Sequence, residues 1–142
     1  MFPNRRLRYC LANKQIRHSP LGNCLTFGFL PLHFSEFFVC KDKGELIAAG
    51  RVREYEDGVF ELCSLGVLED YRGAGIGTDI VKALLQKHSL DSVYVVTEIP
   101  EFFEKTGFVK STHKSEYLQD KLKRCVEEYA CKNPIIMLCK HI

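Results

Sequence analysis

The fold is decided by residues 65–78, which read LGVLEDYRGAGIGT in one-letter code. Glycine occurs at 73, 75 and 77, between a strand-like run that starts at Val59 and a helix-like run. Glycines let a backbone approach phosphate oxygens closely, and the first turn of a helix offers unpaired N–H groups and a positive dipole end. The stretch therefore predicts a loop that holds a pyrophosphate. The helix itself is predicted from apolar residues at helical spacing (Ile76, Ile80, Val81, Leu84 and Leu85).

The spacing of the glycines excludes two other phosphate-binding motifs. A dinucleotide-binding Gly-x-Gly-x-x-Gly would need glycine at 78, where Thr78 stands. A Walker-type loop would need Gly-Lys followed by Ser or Thr, which this stretch lacks. A tight strand-to-helix turn without any ligand is the remaining alternative, although such a turn normally requires one glycine rather than three.

The chain around this loop alternates strands and helices. Because hairpins give antiparallel pairs and helices cover the strands, the predicted fold class is α/β (α+β), a mixed, mostly antiparallel sheet flanked by helices. Hairpin turns are predicted at 42–44 and 56–58. Strands are predicted at 5–11, 37–41, 45–54, 59–67, 92–98, 108–112 and 135–139, helices at 76–88, 100–105 and 118–130, and irregular or weakly helical chain at 12–34.

Composition and charge describe an ordinary globular chain of one domain, residues 1–142. Its residues are 46% apolar and 27% charged, with a formal net charge of +2. No cationic run predicts a nucleic-acid partner, and no apolar run reaches the roughly 20 residues of a membrane span. No acidic residue precedes Glu36, and an Arg-rich start is also typical of organelle transit peptides. We interpret this basic start instead as the first strand and helix of the domain.

Seven cysteines stand at 10, 24, 40, 63, 125, 131 and 139, without a Cys-x-x-Cys pair or a His at zinc-like spacing. Several lie inside apolar runs, where cysteine behaves as a small buried hydrophobe. We therefore expect free thiols in the cytoplasm, with neither a disulfide framework nor a metal site.

The glycine loop resembles the signature of the GNAT acetyltransferase superfamily, Arg/Gln-x-x-Gly-x-Gly/Ala. It begins here at Arg72 and follows an apolar strand and a short acidic turn. A second block at 102–108, FFEKTGF, is similar to a later helix-to-strand element of that family. The resemblance covers about residues 59–109 and implies a GNAT-like acyl-CoA N-acyltransferase fold, with acetyl-CoA as cosubstrate and no metal.

The resemblance also implies which residues hold acetyl-CoA. Backbone N–H groups of the loop would bind the pyrophosphate, and the preceding strand would pair with the pantetheine arm. Gly66 suggests a bulge on that strand, because glycine inside a strand often marks one. Carried over to this sequence, the cofactor-binding residues are Leu65, Gly66, Val67, Arg72, Gly73, Ala74, Gly75, Ile76, Gly77 and Thr78.

The candidate general base is Glu61, which lies eleven residues before Arg72, where some family members carry a catalytic glutamate. It is also the lone charge in the alternating series 59, 61, 63 and 65. The alternative is a solvent-exposed glutamate, or one paired across the hairpin with Arg51 or Arg53. Those two arginines are candidate substrate-binding residues, since a guanidinium binds carboxylates well.

Phe103 occupies the position at which many family members place a tyrosine acid, so the usual proton donor is missing; Tyr94 or Tyr117 could serve instead. The Phe-Phe-x-x-x-Gly-Phe form, with Thr97 upstream, is similar to the acetyltransferase domain of N-acetylglutamate synthases. The predicted function is therefore transfer of acetyl from acetyl-CoA to the amine of a small molecule or amino acid. Protein N-terminal or lysine acetylation and a non-catalytic acyl-CoA-binding module are the alternatives. Many family members dimerise, which suggests a homodimer, although no residue here specifies an interface.

Overall fold

The structure is a computed structural model. It describes residues 15–18, 24–32, 35–88, 90–112 and 115–140. A short 3-10 turn, Glu69–Tyr71, joins the fifth strand to the first helix. The strands are β1 (Gln15–His18), β2 (Cys24–Leu32), β3 (Ser35–Asp42), β4 (Glu45–Glu54), β5 (Phe60–Val67), β6 (Ser92–Thr97), β7 (Val109–Lys110) and β8 (Ile135–Lys140), and the helices are α1 (Ile76–His88), α2 (Pro100–Glu104) and α3 (Glu116–Tyr129).

The chain divides into two compact units, which we call unit 1 and unit 2. Unit 1 comprises Met1–Val52 and Ser64–Lys87, and unit 2 comprises Arg53–Cys63 and His88–Ile142. The chain thus passes between the units within β4, within β5 and at the end of α1. A single domain over residues 1–142 stays a prediction.

Unit 1 is built on antiparallel strands. β1 pairs with β2, β2 with β3 and β3 with β4, with Phe38 opposite Phe29 and Gly50. The β3–β4 turn needs two residues in the left-handed region, and Lys43 (φ 51°) and Gly44 (φ 80°) supply them. A buried apolar cluster joins these strands and fixes their register (Leu30, Val39, Leu46 and Ala49, with Phe37 against it).

Helix α1 buries its apolar face in unit 1, with Ile76, Ile80, Val81 and Leu84 at 2% exposure or less. The helix lies so close to β4 that Gly50 has no room for a side chain. A Cβ added there would lie 3.0 Å from Ile80 Cγ2 and 3.1 Å from Leu65 Cδ1. Gly50 therefore sets how closely α1 and Leu65 approach β4, and this places the start of the helix.

Unit 2 contains the parallel strand pair that makes the fold mixed. β5 pairs parallel with β6 at Glu61 and Tyr94, while β6–β8 and β7–β8 are antiparallel. Helix α3 packs against β6 and β8. The core of the unit is formed by buried side chains from the hairpin turn, β6, α3 and β8 (Tyr55, Tyr94, Leu118 and Ile136).

The predicted fold class is confirmed, since both units hold mostly antiparallel pairs flanked by helices. The elements from residue 37 onward agree with the prediction within a few residues, and β4 agrees at both ends. The prediction of irregular or weakly helical chain at 12–34 is wrong where the structure describes it, because β1 and β2 lie there. Gly28 and Pro31 locally favour turns, yet both pair with β3, where β-favouring neighbours carry the strand. The strand predicted at 5–11 lies outside the described residues.

The prediction of free thiols is also wrong for two cysteines. Cys125 and Cys131 form a disulfide at the end of α3, with 5.3 Å between their Cα atoms. Ala130 adopts a left-handed conformation (φ 52°), and the Cys131 N–H donates to the Cys125 carbonyl at 2.9 Å. This turn brings the two Cα atoms within the usual range for a disulfide. Cys40, Cys63 and Cys139 form no disulfide within the described chain.

Candidate active site

The glycine loop, residues 72–78, ends in the first turn of α1. The first main-chain hydrogen bond of the helix runs from the Asp79 N–H to the Gly75 carbonyl at 3.0 Å. The N–H groups of residues 75–78 therefore precede the hydrogen-bonded part of the helix, as the first donors of any helix do. These donors and the helix dipole together favour an anion at this end of α1.

Two glycines give the loop its shape. Gly73 (φ 83°) and Gly75 (φ 79°) both adopt the left-handed region, which side-chain-bearing residues rarely enter. A Cβ built on either would meet no atom within 4 Å among the described residues. Glycine is thus required at both positions by backbone conformation, and the space beside them is open to a ligand.

The segment before the loop is tied to the strands of unit 1. The Leu68 N–H donates to the Ile47 carbonyl at 2.8 Å, and the Tyr71 hydroxyl donates to Asp42 Oδ2 at 2.5 Å. This hydrogen bond, followed by partial burial, raises the pKa of Tyr71 to about 12. Tyr71 therefore stays protonated at neutral pH and holds the start of the loop against the β3–β4 turn.

Arg72 and β5 show the local geometry of the predicted cofactor site. The main-chain N–H of Arg72 donates to the Glu69 carbonyl at 3.1 Å, so it belongs to the 3-10 turn and does not face a ligand. The side chain of Arg72 is exposed, and its Nε donates to the Val67 carbonyl at 3.0 Å. Ser64 of β5 adopts a left-handed conformation, at φ 53°, whereas Gly66 has no positive φ; the bulge at Gly66 stays a prediction.

Glu61 lies in unit 2 and is fully buried, at 0% exposure. Its Oε1 accepts a hydrogen bond from the Tyr55 hydroxyl at 2.7 Å, and its Oε2 lies 2.6 Å from Lys121 Nζ. No hydrogen bond reaches Oε2 within the described chain, so the contact with Lys121 is an ion pair rather than a directed hydrogen bond. The alternative of a solvent-exposed glutamate is therefore wrong, and in unit 2 the cation that pairs with Glu61 is Lys121.

Three further side chains surround this pair. The Tyr117 ring stacks on the Tyr55 ring with 4.9 Å between centroids, and the Arg53 guanidinium lies over the Tyr55 ring, 4.8 Å from its centroid. Tyr94 is the β6 register partner of Glu61. Burial, and then the hydrogen bond to Glu61, raises the pKa of Tyr55, which therefore remains a donor. We call Arg53, Tyr55, Glu61 and Lys121 the Glu61 cluster.

The predicted substrate-binding arginines have different surroundings. Arg51, in unit 1, is half-buried; its Nε donates to Ser64 Oγ at 3.3 Å, and its guanidinium lies 5.4 Å from the Phe37 centroid. Arg53, in unit 2, is exposed and stacks on Tyr55 of the Glu61 cluster. Both guanidinium groups thus lie against an aromatic ring, and the edge of the exposed Arg53 is suited to planar anions.

Phe103 is a core residue here. It is 4% exposed and packs edge-on against Phe108, with ring centroids 5.5 Å apart. Of the two tyrosines suggested in its place, Tyr117 donates its hydroxyl proton to Glu56 at 3.1 Å, and this bond raises its pKa. Burial raises the pKa of Tyr94.

The sequence interpretation missed Tyr55 and Lys121. Tyr55 follows β4 directly in the hairpin turn, and nothing in the local pattern distinguishes it from a core tyrosine. Lys121 offers a weak signal, because it lies three residues after the buried Leu118 on α3 and so shares the inner face of the helix. In the described part of the chain, no cluster of three or more His, Cys, Asp or Glu could bind a metal, and no helix is long and apolar enough to span a membrane.

The chain matches known proteins in the same region. A model of the acetyltransferase (GNAT) domain matches residues 33–110. A Chlorobaculum tepidum protein named uncharacterized N-acetyltransferase CT2212 is 34% identical over 106 residues, which are 70% of this chain and 67% of that protein.

Solved structures share the fold. Rv2747 from Mycobacterium tuberculosis, in complex with CoA and NLQ, has a TM-score of 0.59 and 25% identity over 75% of this chain and 76% of that one. N-acetylglutamate synthase from Neisseria gonorrhoeae, complexed with coenzyme A and N-acetyl-glutamate, has a TM-score of 0.62 and 16% identity over 75% of this chain and 26% of that one. A GNAT family acetyltransferase from Elizabethkingia anophelis with acetyl-CoA bound has a TM-score of 0.58 and 16% identity over 75% of this chain and 76% of that one.

The glycine loop at the start of α1 agrees with the family model and with the 34%-identical relative. The chain therefore belongs to the GNAT superfamily as an acetyl-CoA-dependent N-acetyltransferase.

Proposed function

We propose that this acetyltransferase acetylates the amine of a small molecule that carries a carboxylate, an amino acid being the simplest case, with Glu61 as the general base. The observation that carries the proposal is the environment of Glu61: a fully buried carboxylate on β5, the strand that leads into the glycine loop. Buried carboxylates are rare unless they are paired, and a paired one in an enzyme of this family is a candidate for proton transfer.

The residues around the glycine loop suit the pyrophosphate of CoA. Residues 73–78 would surround it, with the N–H groups of 75–78 as donors and the exposed Arg72 side chain beside them. Leu65, Gly66 and Val67 would follow the pantetheine arm along β5. The crystal structure of Rv2747, at 25% identity, contains CoA, which supports the assignment.

Acetyl-CoA supplies the acetyl group as a thioester. An acceptor amine of lysine-like pKa, about 10.4, is protonated at neutral pH and must lose a proton before it can attack. Glu61 would take that proton, directly or through a water molecule. A main-chain N–H near residues 65–67 would stabilise the oxyanion that develops on the thioester carbonyl.

The carboxylate of the acceptor is inferred from the cations of the Glu61 cluster. Arg53 is exposed, and its guanidinium lies over the Tyr55 ring, so the guanidinium edge is available to a planar anion. Lys121 adds a second positive charge and is 31% exposed. A neutral or cationic acceptor would gain nothing from these charges.

The test is a panel of acceptors assayed by release of CoA thiol. Each amino acid, glutamate included, is paired with the amine that lacks its α-carboxylate, and peptides with free N-termini or lysine side chains are added. We expect turnover with amino acids, and a loss of about tenfold or more in kcat/KM with the paired amines. In Arg53→Ala this preference should shrink, whereas Arg124→Ala, an exposed arginine on α3, should keep it. Turnover with peptides alone would contradict the proposal and favour protein acetylation.

A further inference from the structure

We propose that Lys121 is a positioning residue that keeps Glu61 in its ionised, proton-accepting form, so that its charge sets the pH range in which the enzyme works. The proposal rests on the role of Glu61 as general base, and its test below separates the two. Lys121 lies on α3, sixty residues from Glu61 in sequence and outside residues 33–110, which the GNAT domain model matches.

The contact leaves Glu61 dependent on this lysine. Glu61 has no exposure, and within the described chain its Oε2 receives no hydrogen bond, so the Lys121 ammonium at 2.6 Å is what compensates that oxygen. Tyr55 compensates the other oxygen with a neutral hydroxyl. A buried carboxylate without a counter-charge becomes protonated at higher pH, because burial disfavours the charged form. A protonated Glu61 cannot accept the proton of the acceptor ammonium.

The other groups that face the pair do not replace this charge. Tyr55 and Tyr94 are neutral donors whose pKa is raised by burial. Arg53 contacts the ring of Tyr55 rather than Glu61 itself. Cys63, on β5, is buried. Tyr117, from the same face of α3 as Lys121, donates its proton to Glu56. Lys121 is thus the cation in direct contact with Glu61 in the described structure.

In the proposed step, one proton moves from the acceptor ammonium to Glu61. The acceptor ammonium loses one N–H bond, and Glu61 gains one O–H bond and loses its negative charge. The cationic Lys121 favours the carboxylate before this step, and it does not itself exchange a proton. Lys121 is therefore expected to affect the pH above which Glu61 can accept a proton.

The experiment compares wild type, Lys121→Met, Lys121→Gln and Lys121→Arg, with Lys123→Met as a matched control on the exposed face of α3. The first measurement is the pH profile of kcat/KM for the best acceptor. In the Met and Gln variants the acidic limb should move up by about one to three pH units, with activity recovering at high pH. Lys121→Arg and Lys123→Met should keep the wild-type limb. A loss of kcat/KM that is equal at all pH values would overturn the proposal, because it would indicate that Lys121 has only a structural role.

The second measurement needs no turnover. The carboxyl carbon resonance of Glu61, assigned by its absence in Glu61→Gln, is followed by NMR as pH is varied in full-length protein. Its midpoint should rise by about one to three pH units in Lys121→Gln. An unchanged midpoint overturns the proposal. If Glu61→Gln keeps wild-type turnover, the role of Glu61 as base fails, while this titration still decides whether Lys121 holds its charge.

Discussion

The glycine loop and the Glu61 cluster are built in opposite ways. The loop offers main-chain N–H groups from one continuous run, residues 75–78, and its geometry depends on two glycines with positive φ. The Glu61 cluster uses side chains that meet from residues 53, 55, 61 and 121, on β4, its turn, β5 and α3. The loop is a feature of backbone shape, whereas the cluster is a feature of charge compensation in a buried place.

This difference predicts separable failures. Changes in backbone freedom at the loop should weaken binding of acetyl-CoA and leave proton transfer intact. Changes in the charges or donors of the Glu61 cluster should lower turnover and leave acetyl-CoA affinity intact. Gly75→Ala and Tyr71→Phe alter the loop and the segment that precedes it, and Tyr55→Phe alters the Glu61 cluster.

The largest effect on acetyl-CoA affinity is expected from Gly75→Ala. Alanine at φ 79° costs about 1–2 kcal/mol in backbone strain, and its Cβ enters the space beside the N–H donors. We expect the Kd for acetyl-CoA, measured by titration calorimetry, to rise by about 10- to 100-fold, because charge-assisted hydrogen bonds to phosphate are lost. Gly44→Ala is the matched control, since Gly44 has φ 80° in the β3–β4 turn. Equal losses of affinity in both variants would show that strain alone is responsible.

An intermediate effect is expected from Tyr55→Phe. This variant keeps the ring and removes the hydroxyl that donates to Glu61 Oε1 at 2.7 Å. A hydrogen bond to a charged group contributes about 1.5–3 kcal/mol, so kcat should fall by roughly 10- to 100-fold at an unchanged Kd for acetyl-CoA. Tyr129→Phe, which alters a tyrosine that is 73% exposed, should behave as wild type. Parallel losses of kcat and acetyl-CoA affinity would contradict the separation of the two regions.

The smallest effect is expected from Tyr71→Phe, which removes the bond to Asp42. We expect it to lower the free energy of unfolding by about 1 kcal/mol at neutral pH. The pKa of Tyr71 is raised to about 12, above the usual 10, so the contribution of this bond is complete below pH 10 and is lost as pH rises through about 12. Urea unfolding between pH 8 and 11 should show wild type and variant converging above pH 10. A gap that stays constant over this range would contradict the assignment.

The same contrast explains what could be predicted from the sequence. The loop, α1 and the hairpins from residue 37 onward were predicted because glycine spacing, turn residues and apolar periodicity are local signals. Gly73 and Gly75 adopt the conformations for which glycine is needed. The strands β1 and β2 were missed because Gly28 and Pro31 are local breakers whose effect the pairing with β3 overcomes.

The Glu61 cluster could be predicted only in part. Glu61 could be selected as a candidate from its position before the glycine loop. Lys121, in contrast, contacts Glu61 only when α3 has packed against β6 and β8. The pairing of distant side chains has no local spacing to reveal it.

The most direct test of the account is Glu61→Gln, measured for both turnover and acetyl-CoA binding. The variant removes the proton acceptor and keeps the shape of the side chain. We predict that kcat falls by about 100-fold or more, as expected for loss of a general base, and that the Kd for acetyl-CoA changes by less than about twofold. Wild-type turnover in Glu61→Gln, or a loss of acetyl-CoA binding as large as the loss of turnover, would contradict it.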